Sequence, residues 1–266
     1  MTYTKKMIIG IANEGSAGKS TTKKALAAYL TKIGIPFSKF DADKEHHTFY
    51  EAYAARGDNG EIDKEQNSET GCVQIDIDAE PQKIVDTVGA KNDIVLVDTP
   101  SRYIQCLVDS FGPDQVQSFF DTFERKGALP YFVFPWTDAT KSPLGLAKLY
   151  EGFESVDFDG YEDDFVINII ICMNNGLMNS TSSTLKAQAL DAYKTSLALE
   201  EITNDKRFKI QLVELKTQMT QPSINLLKGR TVQQAMELSV GEIKDPSSET
   251  IFYNLIKDGK KIYDCL

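Results

Sequence analysis

The sequence predicts an α/β protein: a mostly parallel, twisted sheet with helices on both faces. Three observations predict it. Short apolar runs suited to buried strands, at 7–12, 37–40, 94–97, 131–134, 166–172 and 210–213, alternate with helix-patterned stretches at 21–33, 80–88, 142–153 and 184–201. The first run leads into a glycine-containing loop that ends in Gly18-Lys19-Ser20, at the start of a helical pattern. Two later runs end in aspartate, one at Asp41 with Asp43 just beyond and one at Asp98.

Composition bounds the reading. A chain of 266 residues, 41% hydrophobic and 26% charged, can bury the core of one α/β domain with insertions. Its net charge of −10 argues against a bulk surface that grips nucleic acid and leaves a local basic patch open. Cys72, Cys106, Cys172 and Cys265 are scattered without C-x-x-C spacing, which reads as reduced thiols in a cytoplasm, not a disulfide frame or a zinc site. Lysines precede the first apolar run as in a signal peptide, but that run is short and enters the glycine loop. No stretch approaches the roughly 18 apolar residues of a membrane span. A soluble, cytoplasmic protein is expected.

The loop at 14–21, EGSAGKST, has the layout of a phosphate-binding loop: strand, glycine turn, then Lys-Ser opening a helix. Gly15 and Gly18 let backbone N–H groups approach phosphate oxygens where a Cβ would obstruct. Ser16, Ala17 and Thr21 would add amides to that cradle. Lys19 can reach the β- and γ-phosphates, and the Ser20 hydroxyl suits a Mg²⁺ ligand position. The strict pattern misses by one residue, because its first glycine falls on Asn13; an ordinary turn and helix cap would also leave Gly-Lys-Ser here.

The second strand ends in Asp41-Ala42-Asp43, and 94–97 is followed by Asp98-Thr99-Pro100. Asp98 stands where a carboxylate holds the Mg²⁺ shell beside a phosphate loop. Of the other pair, Asp41 can orient magnesium water and joins Ser20 and Asp98 as a candidate metal residue, while Asp43, with Asp41 in support, positions or deprotonates the attacking water as the candidate catalytic group beside Lys19. The polar stretch 55–71 reads as a loop or small insertion, and 155–164 as an acidic surface loop without calcium-loop spacing. Beyond 218 a peripheral helix or two is expected, around 232–237 and 249–256. His46-His47 reads as a solvent-facing pair, Lys257, Lys260 and Lys261 as a solvated face, and Trp136 as packing near the site. The whole chain, 1–266, reads as one domain with a C-terminal helical tail.

EGSAGKST, then FDADKEHHTF, then IVLVDTPSR resembles the deviant Walker-A ATPases of the ParA/MinD type. YFVFPWTDATKSPLGL, the CMNN strand end and the stretch 221–232 are similar to later parts of that family, and the resemblance spans about 6–240. It implies a P-loop fold, ATP and Mg²⁺ as cofactors, Asn174 or Asn175 against the adenine, and slow turnover that switches the protein between partners. DADKEHHTF with a polar insertion is similar to the plasmid-encoded TraL and StbB branches, which implies partition, stability or conjugative transfer, with a protein partner and a question over direct DNA binding. One departure matters: the family's signature lysine is replaced by Glu14, whose charge would repel phosphates. A monomer, or a dimer that does not require ATP, is therefore expected; Arg102 or Lys44 are candidate replacement charges. Two rival readings stand beside this one. An ATP-dependent ligase of the dethiobiotin-synthetase type would use a substrate-binding lysine on the second strand, where Lys39 lies. A non-catalytic nucleotide-binding adaptor would fit Asn13 and Glu14.

Overall fold

The computed structural model describes residues 3–12, 18–77, 83–101, 103, 113–174, 183–241 and 246–266. Seven parallel strands form one sheet: β1 (Lys5–Gly10), β2 (Phe37–Asp41), β3 (Val73–Gln74), β4 (Ile94–Asp98), β5 (Ala128–Trp136), β6 (Ile167–Asn174) and β7 (Phe208–Leu215). Their order across the sheet is β3-β2-β4-β1-β5-β6-β7. β1 therefore lies between β4 and β5, with Ile8 beside Leu96 on one side and Tyr131 on the other. The period of two sends alternate residues to opposite faces. Met7 and Ile9 join Val95, Val97, Phe132 and Ile169 in one core, whereas Ile8 joins Leu96, Val133 and Ile170 in the other.

Helices cover both faces. They are α1 (Lys19–Ile33), α2 (Thr48–Tyr53), α3 (Lys83–Asp86), α4 (Pro113–Arg125), α5 (Lys141–Phe153), α6 (Ser183–Lys194), α7 (Leu197–Asn204), α8 (Gln221–Leu227), α9 (Val232–Gly241) and α10 (Pro246–Tyr263). α4 was not anticipated from the sequence; it buries Val116, Phe119, Phe120 and Phe123 on the first face. α1 covers the second face with Leu26, Ala27 and Leu30.

Three expectations are corrected. The single helix expected over 184–201 is two, because the Ser196 side chain accepts the Leu199 N–H and starts α7 there. β3, only two residues long, was not foreseen. The segment beyond 218 is not peripheral: α8, α9 and α10 pack on α1 through Leu226, Leu227, Val232, Phe252, Leu255 and Ile256 around Ala25 and Ala28. Close approach depends on Gly259, since a Cβ there would overlap the Ala25 carbonyl. Among the described residues no helix is long and apolar enough to cross a membrane.

Candidate functional site

The C-terminal ends of β1, β2 and β4 lie beside the first turns of α1. Gly18, at φ 91°, takes the left-handed conformation that turns the chain into the helix. Its carbonyl accepts both the N–H and the Oγ1 hydroxyl of Thr22, at 2.9 and 2.8 Å. Lys19 is the first helical residue and is buried; burial pushes its ammonium below the usual lysine range, opposed by the charge of Asp98. Asn13, Glu14, Gly15, Ser16 and Ala17 lie outside the described residues.

Ser20 Oγ donates to Asp98 Oδ2 at 2.6 Å. Asp98 ends β4 and is fully buried, and Lys23 Nζ lies 2.7 Å from its other oxygen. Burial alone would raise this carboxyl, but the charge and hydrogen bond of Lys23, with Ser20 and Lys19, hold it below the usual carboxylate range. Thr99 Oγ1 donates to the Gly10 carbonyl and ties the turn after β4 to the end of β1.

Asp41 is the register partner of Asp98 on the neighbouring strand. Its oxygens accept the N–H groups of Asp43 and Tyr50 at 2.9 and 2.7 Å. Burial and the adjacent Asp98 push its carboxyl up to about 7. Asp43, also buried, takes the N–H groups of Glu45 and His46 on Oδ1, at 3.2 and 3.0 Å.

A cavity of about 420 Å³ opens at this point. Gly18, Lys19, Ser20, Thr21 and Asp43 line it, with His46 and Ser101. So do Asn174, Leu215, Thr217 and Asp258, and Ile224, Leu227 and Lys228 of the C-terminal segment. Asn175 lies outside the described residues. Lys24, buried on the cavity wall, donates to the Leu227 carbonyl at 3.1 Å, and burial pushes its ammonium down to about 8. Asp258, buried on α10, accepts the N–H groups of Lys216 and Thr217 at 3.0 and 2.9 Å and the Thr217 hydroxyl at 2.6 Å, so it fixes the turn after β7.

The sequence reading brought Lys19, Ser20, Thr21, Asp43, Asp98 and Asn174 forward; all but Asp98 line this cavity, and Asp98 lies buried behind Ser20, whose hydroxyl it accepts. It missed Lys23, Lys24, Thr99, Thr217 and Asp258. Lys23 carried a signal: it falls on the helical stripe of Leu26, Ala27 and Leu30, where an apolar residue belongs. Asp258 carried the same signal, lying on the buried stripe of Leu255 and Ile262, but the backbone groups it holds lie some forty residues away. The remaining singled-out residues are otherwise engaged. His47 Nδ1 is 2.9 Å from Gln74 Nε2, Lys44 pairs with Asp76, and Lys39 donates to the Glu69 carbonyl at 2.9 Å. Trp136 is fully buried and donates to the Ala189 carbonyl at 3.0 Å. Lys260 pairs with Asp264, Lys261 with Asp258, and Lys257 lies over the Tyr253 ring. Arg102 lies outside the described residues.

The fold, a parallel sheet with a glycine turn and helix at the end of its central strand, is that of P-loop NTPases. No protein-family model matches the chain, and no curated protein sequence does. Among solved structures, it is similar to a variant of McdA from Cyanothece in complex with ATP, with TM-score 0.51 and 15% identity over 97% of each chain. It is equally similar to ParA of pNOB8, with TM-score 0.52 and 13% identity over 98% of each chain. The same ParA bound to nonspecific DNA gives TM-score 0.52 and 12% identity over 97% of each chain. At these identities the likeness is one of fold.

Proposed function

We propose that this protein binds ATP with Mg²⁺ in the cavity at the start of α1 and works as a slowly hydrolysing switch of the ParA/MinD type. One observation carries the reading: Ser20, which lines a 420 Å³ cavity together with Asn174, donates its hydroxyl to the buried Asp98 Oδ2 at 2.6 Å. A hydroxyl and a carboxylate are hard oxygen donors that fit Mg²⁺. Mg²⁺ there would neutralise charge between β- and γ-phosphate oxygens. In this reading the first-turn amides of α1 and Lys19 hold the phosphates, with Gly15, Ser16 and Ala17 completing the cradle. Asp43 orients the attacking water from the cavity wall. Asp41, whose oxygens already serve two backbone amides, braces Asp43 rather than reaching the metal. Asn174 meets the base, with Asn175 next to it.

The fold-mates whose structures hold ATP or nonspecific DNA support a nucleotide-governed choice of partner, as does the resemblance to plasmid-encoded ATPases. A protein partner and a role in partition, stability or conjugative transfer belong to this proposal. The ligase alternative needs Lys39 for substrate, and Lys39 is buried against the Glu69 carbonyl and the Phe37 ring instead. Calorimetric titration with ATP, GTP and short diacids tests the proposal on the wild type and Lys19→Ala. ATP is expected to bind the wild type, and the variant to lose at least about tenfold in affinity as its charge-assisted phosphate contacts go. Diacid binding without ATP, or a variant within about threefold of wild type, would sink it.

A further inference from the structure

Lys23 leaves α1 one turn beyond Lys19 and points beneath the proposed phosphate site. It is 1% exposed, and its partner Asp98 is 0% exposed. Its room comes from Gly10 at the end of β1, where any Cβ would overlap the ammonium. The charge is thus fixed by the helix, by Asp98 and by a missing side chain, out of reach of screening water. A pair held this way interacts through a low effective dielectric. Asp98 presents its other oxygen to Ser20, the same two groups that would hold Mg²⁺. A divalent cation beside Oδ2 must then share one carboxylate with an ammonium already on Oδ1, and the two cations repel each other.

Resting on the nucleotide reading above, we infer that Lys23 is a resident counter-ion for Asp98 and lowers the dependence of this site on Mg²⁺. Asp98 is neutralised before any metal arrives, so less is gained when one does. Lys23 touches no phosphate in this scheme; it sets the charge of the carboxylate that would hold the metal. Removing its charge should leave Asp98 short of a cation and make Mg²⁺ the replacement.

The test compares wild type, Lys23→Met and Lys23→Gln. Gln keeps a donor within reach of Asp98 without the charge, so it serves if Met at this buried position prevents folding. The deciding quantity is the ratio of ADP affinities, with a fluorescent ADP, in excess Mg²⁺ and in EDTA. That ratio is expected to rise at least about fivefold in the variants. A ratio within about twofold of wild type overturns the inference while leaving nucleotide binding intact. A second readout needs no nucleotide: the thermal midpoint with and without Mg²⁺, which should be insensitive in the wild type and rise in Lys23→Gln as the metal binds the folded state. If no nucleotide binds the wild type, the functional reading fails. The midpoint alone then decides the role of Lys23, with equal Mg²⁺ responses counting against it.

Discussion

Replacing Asp258 tests whether the far wall of the cavity is built by the C-terminal helix. Asp258→Ala removes the acceptor for the Lys216 and Thr217 N–H groups, the Thr217 hydroxyl and the Lys261 ammonium. The Lys261 contribution is small, because that side chain is 37% exposed and water screens it. The two backbone donors matter more. Hydrogen bonds to a charged group contribute about 1.5–3 kcal/mol each, and a buried donor left without a partner costs about 1–3 kcal/mol. Water from the adjoining cavity can satisfy part of that demand, which places the net loss at about 3–5 kcal/mol. For a domain of this size that is a fall in midpoint of about 10 °C, measured by circular dichroism. Asp258→Asn keeps one acceptor and should lose about half as much. The turn from Leu215 to Met219 also walls the cavity, so nucleotide affinity should drop with stability in both variants. A midpoint within about 2 °C of wild type for Asp258→Ala would refute the reasoning, since it would mean the turn holds its shape without the carboxylate.

Two further outcomes follow from packing and charge. Gly259→Ala puts a methyl into the Ala25 carbonyl, a backbone neighbour that cannot rotate away, so α10 must shift from α1; a loss of about 3 kcal/mol in chemical denaturation is expected, and an unchanged midpoint would show that the crossing is looser than described. The carboxyl of Asp41 is raised from its ordinary 3.8 to about 7, so between those values the folded state holds a proton that the unfolded chain has released. Stability should therefore fall as pH rises through that window, by up to about 1.4 kcal/mol per unit from this group, and the slope should flatten in Asp41→Asn. Equal slopes in the two proteins would remove Asp41 as its source.

The parts of the fold legible in the sequence were those carried by local pattern. Ile94-Val95-Leu96-Val97 ending in Asp98 reads as a buried strand with a carboxylate at its tip, and the chain folds so, with every residue of β4 buried. Gly18-Lys19-Ser20 reads as a turn into a helix, and α1 begins at Lys19. What escaped depends on separation. The bond from Lys24 to the Leu227 carbonyl joins residues 203 positions apart, and no periodicity in either segment announces it. The tail looked peripheral because nothing in its own sequence names the surface it covers, whereas the apolar residues of α8, α9 and α10 find their partners on α1. The break between α6 and α7 hung on a single hydroxyl, Ser196 Oγ, within a stretch of sustained helical pattern. β3 is held to the sheet by two residues paired with Phe40 and Asp41, too few to show an alternation.

Lys23 and Lys24 show where local rules give way. Both sit in the interior-facing part of α1, among Ala25, Leu26, Ala27 and Ala28, and both are almost completely buried. An apolar pair at these positions would pack without desolvating two ammonium groups, and replacing buried ion pairs by apolar groups is often neutral or stabilising. Stability of α1 therefore gives no reason for either lysine. Each instead ties the helix to something that borders the cavity. Lys23 holds the carboxylate of Asp98, and Lys24 holds the end of α8 at the Leu227 carbonyl. Lys24 has its ammonium pushed down to about 8 by burial, and the neighbouring Asp41 has its carboxyl pushed up to about 7. Lys24 on α1 and Asp41 at the end of β2 are thus two ionisable groups whose charges burial disfavours beside one cavity, which marks a candidate functional place. A helix carrying buried cations on two sides, one toward the strand ends and one toward the C-terminal segment, links them mechanically. α1 thus joins the strand ends to the C-terminal segment, and Leu227, whose carbonyl Lys24 holds, itself lines the cavity.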